Sequence, residues 1–135
     1  MRYLITGRNG QLAAAFIKRL GALSQEFMAP EESSFDITDP AGVRDVVGSY
    51  RPGVIINCAA YNLVDRAEQE RELAFRVNTD GPRLLAEEAR RQGAVLVHFG
   101  SDYVFDGRKE NGLYQEGDAT NPLGEYGRSK GATAM

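Results

Sequence analysis

Short apolar runs of strand length alternate along this chain with longer stretches of helical periodicity, and that alternation constrains the fold more than any other feature. The runs are Arg2–Thr6, Glu26–Met28, Val54–Cys58 and Val95–Phe99. They are continuously apolar and do not alternate with polar residues, the pattern of strands covered by helices on both faces. Between the first two runs Leu12, Phe16, Ile17 and Leu20 recur at three- and four-residue spacing, with Lys18 and Arg19 facing outward, which predicts an amphipathic helix. A second helix is predicted over Pro40–Tyr50, with Asp39 as N-cap and Val43, Val46 and Val47 inward. The charged stretch Asp65–Arg91 predicts two more. Leu73, Phe75 and Val77 mark the first; Leu84, Leu85 and Ala89 mark the second, which Gly93 ends. Strands joined through helices lie parallel in one sheet.

Composition narrows the partners. Sixteen Lys and Arg against 19 Asp and Glu leave a net charge of −3, without the basic surplus that phosphate backbones attract. A single cysteine, Cys58, and a single histidine, His98, exclude an internal disulfide and leave no metal-ligand cluster. No apolar run approaches the ~18 residues of a membrane span. The expectation is a cytoplasmic domain without metal, nucleic acid or membrane partner. Asp106–Pro122 holds four Gly or Pro breakers and little apolar content, a loop long enough to be functional or mobile. A last helix is expected from about Leu123–Glu125, still running at Met135, so the chain reads as the N-terminal part of a longer protein.

Three motifs carry chemistry. Thr6-Gly7-Arg8-Asn9-Gly10-Gln11-Leu12-Ala13 follows a strand and opens a helix. Glycines there let the backbone turn tightly and approach a pyrophosphate, whose charge the free N–H groups of the helix start stabilise. In Tyr126-Gly127-Arg128-Ser129-Lys130 the phenol and the ammonium share a helix face, and a lysine beside a phenol favours proton exchange through the tyrosine. Gly100-Ser101-Asp102-Tyr103-Val104-Phe105-Asp106-Gly107 follows a strand at its carboxyl end, where ligands bind in open α/β sheets. Ser101 is the first hydroxyl there, suited to bonding a substrate oxygen. His98 reads as a satisfied core histidine, Cys58 as an apolar filler, and Arg66–Arg76 as a solvated helix face.

Taken in order along the chain, these motifs resemble the extended short-chain dehydrogenase/reductases, and within them the dTDP-4-dehydrorhamnose reductase family. The resemblance also rests on Asp36-Ile37-Thr38-Asp39, Asn57-Cys58-Ala59-Ala60-Tyr61, Val64-Asp65-Arg66-Ala67-Glu68, Val77-Asn78 and Asn121-Pro122-Leu123. It implies a three-layer α/β/α Rossmann-like, doubly wound parallel sheet, with strand order 3-2-1-4-5 expected and the last strands absent. Residues 1–135 would be the NAD(P)-binding part, with a C-terminal substrate-binding part beyond it. The implied reaction is reduction of the 4-keto group of a dTDP-6-deoxy sugar by NADPH or NADH, in dTDP-L-rhamnose formation.

By that resemblance Tyr126 would protonate the developing alkoxide. Lys130 would tune Tyr126 and hold the nicotinamide ribose, and Ser101 would bond the carbonyl oxygen. Gly7, Asn9, Gly10, Gln11 and Leu12 would face the pyrophosphate. Asp36 and Ile37 would lie near the adenine, with Ala59, Ala60 and Tyr61 along the cofactor and Asn78 as a structural or relay asparagine beside it. Asp102, Tyr103 and Val104 would border the sugar nucleotide. Arg8 in the turn favours NADP(H) by meeting a 2′-phosphate; NAD(H) stays open, since Glu31 and Glu32 follow the second strand. The resemblance also implies a homodimer and a magnesium site, for which the chain offers no ligand set. Two other readings remain: a non-catalytic regulatory subunit like that of methionine adenosyltransferase, and another sugar-nucleotide epimerase or reductase.

Overall fold

The computed structural model describes residues 1–133. Four strands, β1 (Arg2–Thr6), β2 (Glu26–Met28), β3 (Val54–Asn57) and β4 (Val95–His98), form one parallel sheet in the order β2-β1-β3-β4. The expected order 3-2-1-4-5 is corrected. A single strand lies outside β1 on the β2 side, and the chain after β2 forms a loop that leads directly to a helix.

Helix α1 (Gln11–Ala22) covers one face of the sheet. Ala13 and Leu20 pack with Ile5 and Ile56, and Phe16, Ile17 and Phe99 close the margin. Ala13 is fully buried, so its methyl is the contact that seats α1 on the sheet. Helices α2 (Pro40–Tyr50) and α4 (Gly81–Gln92) cover the other face, with Val43, Val47, Leu85 and Ala89 packed on Leu4 and Ile55. The three layers are therefore those expected. Asp39 stands at the N-cap of α2 without a side-chain bond to it. Gly93 ends α4 in the left-handed conformation at φ +70°, as a glycine stop does. Between α2 and α4 the buried Glu88 pairs with Arg91 at 3.0 Å and Arg44 at 3.6 Å.

The charged stretch departs from two separate helices. A 3₁₀ turn, Arg66–Glu68, precedes α3 (Arg71–Phe75), which runs through a π-turn, Arg76–Asp80, directly into α4. Pro82 has no N–H to return to the preceding turn, and a widened turn is one way a helix passes a proline. The π-turn also alters which residues face inward: Ala74 and Asn78 are buried, while Leu73 is 38% exposed. Helix α5 (Glu125–Gly131) ends before the expected Met135, which lies outside the described residues. The loop between β4 and α5 is folded around two carboxylates. Asp106 accepts from Arg108 N–H, the Tyr114 hydroxyl and Asn121 Nδ2, and Asp118 from Lys109 Nζ and Gln115 N–H. Those hydrogen bonds hold both carboxyls below the ordinary range.

Candidate active site

Three strands end side by side on polar residues. Thr6 Oγ1 donates to Asn57 Oδ1 at 2.6 Å, and Asn57 Nδ2 donates to His98 Nδ1 at 3.1 Å. With Nδ1 accepting, the ring proton of neutral His98 belongs on Nε2, which faces Thr133 Oγ1 at 3.5 Å. Thr133 Oγ1 donates in turn to Lys130 O at 2.7 Å. Burial, then the Lys130 ammonium, pulls the His98 pKa down, so the ring is neutral and satisfied. This polar row ties the carboxyl edge of the sheet to α5; the sequence motifs include Thr6 and Asn57 but not this linking role, because the contacts are non-local.

The turn after β1 lies against the end of β3. Gly7 has φ +70°, and a Cβ there would sit 2.5 Å from Ala59 N and 2.6 Å from Cys58 C; glycine alone permits both. Gly10 N–H donates to Gly7 O at 3.0 Å and Gly10 takes the N-cap of α1, which has no side-chain cap. The uncapped N–H groups of that first turn are suited to an anion. Gly10, Gln11 and Leu12 line a cavity of about 400 Å³ together with Cys58, Ala59, Ala60, Gly100, Tyr126 and Lys130. A second cavity, about 350 Å³, is lined by Gly7, Glu32, Asp36, Ile37, Tyr61, Leu73 and Val77, and shares Ala59 and Ala60 with the first. The result is a two-lobed groove along the carboxyl edge of the sheet.

Tyr126 and Lys130 occupy one face of α5. Gly127 allows α5 to approach: a Cβ there would run into the Tyr103 carbonyl and sit 3.0 Å from Pro122 Cβ. Lys130 is 5% exposed, donates from Nζ to Phe99 O at 3.1 Å, and burial pulls its pKa down. Burial likewise pushes the Cys58 thiol up, in keeping with an inert filler. Tyr126 also borders a third, apolar cavity of about 520 Å³, lined by Asp102, Tyr103, Phe105, Tyr114 and Leu123 among others. Its ring meets Tyr103 edge-on, centroids 5.6 Å apart. The phenol thus stands in the wall between the groove and the apolar cavity.

Five of the expected site residues lie outside the linings of the groove and the apolar cavity. Arg8 borders neither lobe; its guanidinium donates to Ala29 O at 2.8 Å and pairs with Glu31 at 3.2 Å. Asn9 is exposed and lines no lobe. Asn78 lies behind the groove, fully buried, with Oδ1 accepting Tyr61 N–H at 2.8 Å and Nδ2 donating to Tyr61 O at 2.9 Å and Ser129 Oγ at 3.0 Å. Its polar atoms are taken by protein, so it fastens the wall and does not face a cofactor. Val104 is turned into the core, 8% exposed and 3.7 Å from where a Gly131 Cβ would be, which removes it from the substrate border. Ser101 Oγ accepts Tyr103 N–H at 3.1 Å, capping the 3₁₀ turn Asp102–Val104, and lines no cavity. Its hydroxyl proton remains available to donate. Among the described residues no group of His, Cys, Asp and Glu could hold a metal ion, so the magnesium implied by the resemblance finds no ligand set in them.

A parallel sheet, a glycine turn at the first strand–helix junction and a two-lobed groove on the carboxyl edge define a Rossmann-like α/β fold. More narrowly, the chain belongs to the RmlD substrate binding domain family, which it matches over residues 1–134. The dTDP-4-dehydrorhamnose reductase of Aggregatibacter actinomycetemcomitans is 45% identical over 130 residues, covering 96% of this chain and 44% of the relative. A probable dTDP-4,6-dihydroxy-2-methyloxan-3-one 4-ketoreductase of Streptomyces antibioticus is 41% identical over 133 residues, with 96% and 44% covered. Among solved structures, the dTDP-4-dehydrorhamnose reductase of Bacillus anthracis in complex with NADP superposes with a TM-score of 0.92 at 40% identity, covering 98% of this chain and 47% of the other. The chain spans less than half the length of these relatives.

Proposed function

We propose that this chain forms the dinucleotide-binding, proton-donating part of an NADP(H)-dependent reductase that acts on the 4-keto group of a dTDP-linked 6-deoxy sugar, as in dTDP-4-dehydrorhamnose reduction to dTDP-L-rhamnose. One observation carries the reading: Tyr126 stands between the groove and the apolar cavity, with Lys130 beside it in the groove wall. The names of the relatives support the substrate class.

The residues fit a dinucleotide. The space that a Gly7 Cβ would fill, the uncapped start of α1 and the two lobes meeting at Ala59–Ala60 suit an extended ligand with an anionic centre. Gly10, Gln11 and Leu12 would hold the pyrophosphate, Asp36, Ile37 and Tyr61 would flank the adenosine, and Lys130 would hold the nicotinamide ribose. The NADP bound to the Bacillus anthracis relative favours NADPH, while NADH is admitted. When bound, the reduced nicotinamide supplies hydride to the carbonyl carbon. Tyr126 gives its phenolic proton to the carbonyl oxygen, and a hydrogen bond from the Ser101 hydroxyl, which keeps its proton, would stabilise the same atom as charge develops. Lys130 keeps a positive charge behind both. The full-length protein is proposed to work as a homodimer in the cytoplasm, where nucleotide sugars and NADPH are made.

The test is turnover of dTDP-4-dehydrorhamnose by the full-length protein, followed by NADPH absorbance. Tyr126→Phe is expected to lower kcat by roughly 100-fold or more while NADPH still binds. Undiminished turnover in that variant would remove Tyr126 from the mechanism. Capture of a methionine adenosyltransferase catalytic subunit, with no turnover, would favour the regulatory reading.

A further inference from the structure

The charged side chains of Arg66–Arg76 are exposed almost throughout, as expected of a solvated face, but solvent is not their only partner. Two of its side chains reach across to α5: Glu68 Oε1 accepts the Glu125 amide N–H at 2.9 Å, and Arg71 Nε meets Glu125 Oε2 at 3.0 Å. Helix α5 needs an acceptor from elsewhere. The first N–H groups of a helix have no partner within it, and Gly124 at the N-cap offers no side chain to fill that place. Glu68 supplies one acceptor from 57 positions away in sequence. Gly124 makes the approach possible, because a Cβ there would sit 2.8 Å from Glu68 Oε1. The carboxylate is exposed, but its support is firm: Ala67 is fully buried and, with Tyr61 and Ala74, forms the small core against which Tyr126 packs.

The far end of α5 is held by other means. Thr79 Oγ1 donates to Ser129 O at 2.7 Å, Asn78 Nδ2 to Ser129 Oγ at 3.0 Å, and Lys130 Nζ to Phe99 O at 3.1 Å. Tyr126 lies in the first turn, next to the residue whose N–H Glu68 receives. Loosening that turn would displace the phenol and leave Lys130 in place.

We propose that Glu68 is a positioning residue for the reaction: it caps α5 from across the molecule and sets where the Tyr126 hydroxyl stands between the groove and the apolar cavity. The proposal rests on the catalytic role proposed for Tyr126. The groove and Lys130 do not depend on the cap, so its loss divides the kinetic constants. In the full-length protein Glu68→Ala is expected to lower kcat roughly tenfold, with KM for NADPH within about twofold of the parent. Glu68→Gln keeps the accepting oxygen and loses the charge, and is expected to restore most of kcat. Amide hydrogen exchange at Glu125 reads the cap directly: roughly tenfold faster in the Ala variant, near the parent in the Gln variant. Parent-like kcat in Glu68→Ala overturns the proposal whatever the exchange shows, and so do equal losses in both variants, which would trace the effect to charge or folding. Should the parent turn over no keto sugar, the catalytic reading fails, and unchanged exchange at Glu125 would separately remove the cap.

Discussion

Lys130 carries its charge where stability alone would not put one. The side chain is 5% exposed, its ammonium donates to the Phe99 carbonyl, and among the described residues no carboxylate pairs with it. Its depressed pKa records the cost of desolvation. The ligand-holding role proposed for Lys130 would account for that cost, and the Asn78–Ser129 hydrogen bond fastens α5 one residue away. Methionine has a similar length and no charge to desolvate. Lys130→Met is therefore expected to stabilise the protein by about 1 kcal/mol or more while eliminating turnover, a gain read as a rise in Tm. A fall in Tm would show instead that the bond to Phe99 O outweighs the burial of the charge.

At the scale of the element, α5 is placed by the absence of a side chain. Gly127 lies flat against the Tyr103 carbonyl, where a methyl would clash with backbone that cannot yield. Two effects oppose one another in Gly127→Ala. Helix propensity gains about 1 kcal/mol, while overpacking at a backbone contact costs about 1–3 kcal/mol. The clash should win, because α5 would have to withdraw from the segment that carries Ser101. The expected result is a lower Tm together with a drop in kcat; a raised Tm with unchanged kcat would show that α5 and the Tyr103 segment separate freely. The sequence showed where α5 begins, since Tyr126 and Lys130 lie on one face, and it showed the bounds of α2, and of the four strands to within one residue, since apolar runs and Pro40 are local signals. It did not show the π-turn. That turn is wound so that Asn78 reaches Tyr61 and Ser129, partners 17 and 51 positions away, and no local pattern encodes such a demand. Arg8 was misplaced for the same reason, its partners Ala29 and Glu31 coming from the exit of β2, and Glu68 was hidden among charges that resemble any solvated face.

For the molecule as a whole, the groups proposed for cofactor binding and proton donation lie within 135 residues, while the relatives continue for more than as many again. Among the described residues strand β4 pairs with β3 on one side alone, and Val95 is 60% exposed at its start. Beside it a cavity of about 360 Å³, lined by Thr79, Pro82, Leu96, His98 and Thr133, opens on the same flank. A strand of core composition with an unpaired row of N–H and C=O groups invites association. Binding and turnover should therefore separate in the 135-residue chain. It is expected to bind NADPH saturably through the groove, and to turn over no keto sugar, because the relatives named as reductases continue for more than as many residues again. It is also expected to self-associate in sedimentation experiments, and Val95→Lys should weaken that association without changing NADPH affinity, since a lysine on an edge opposes strand pairing. Association unaffected by Val95→Lys would place the contact elsewhere than β4. Turnover at the full-length rate would show that the substrate needs nothing beyond this half, and the role given to the remainder of the relatives' length would have to be withdrawn.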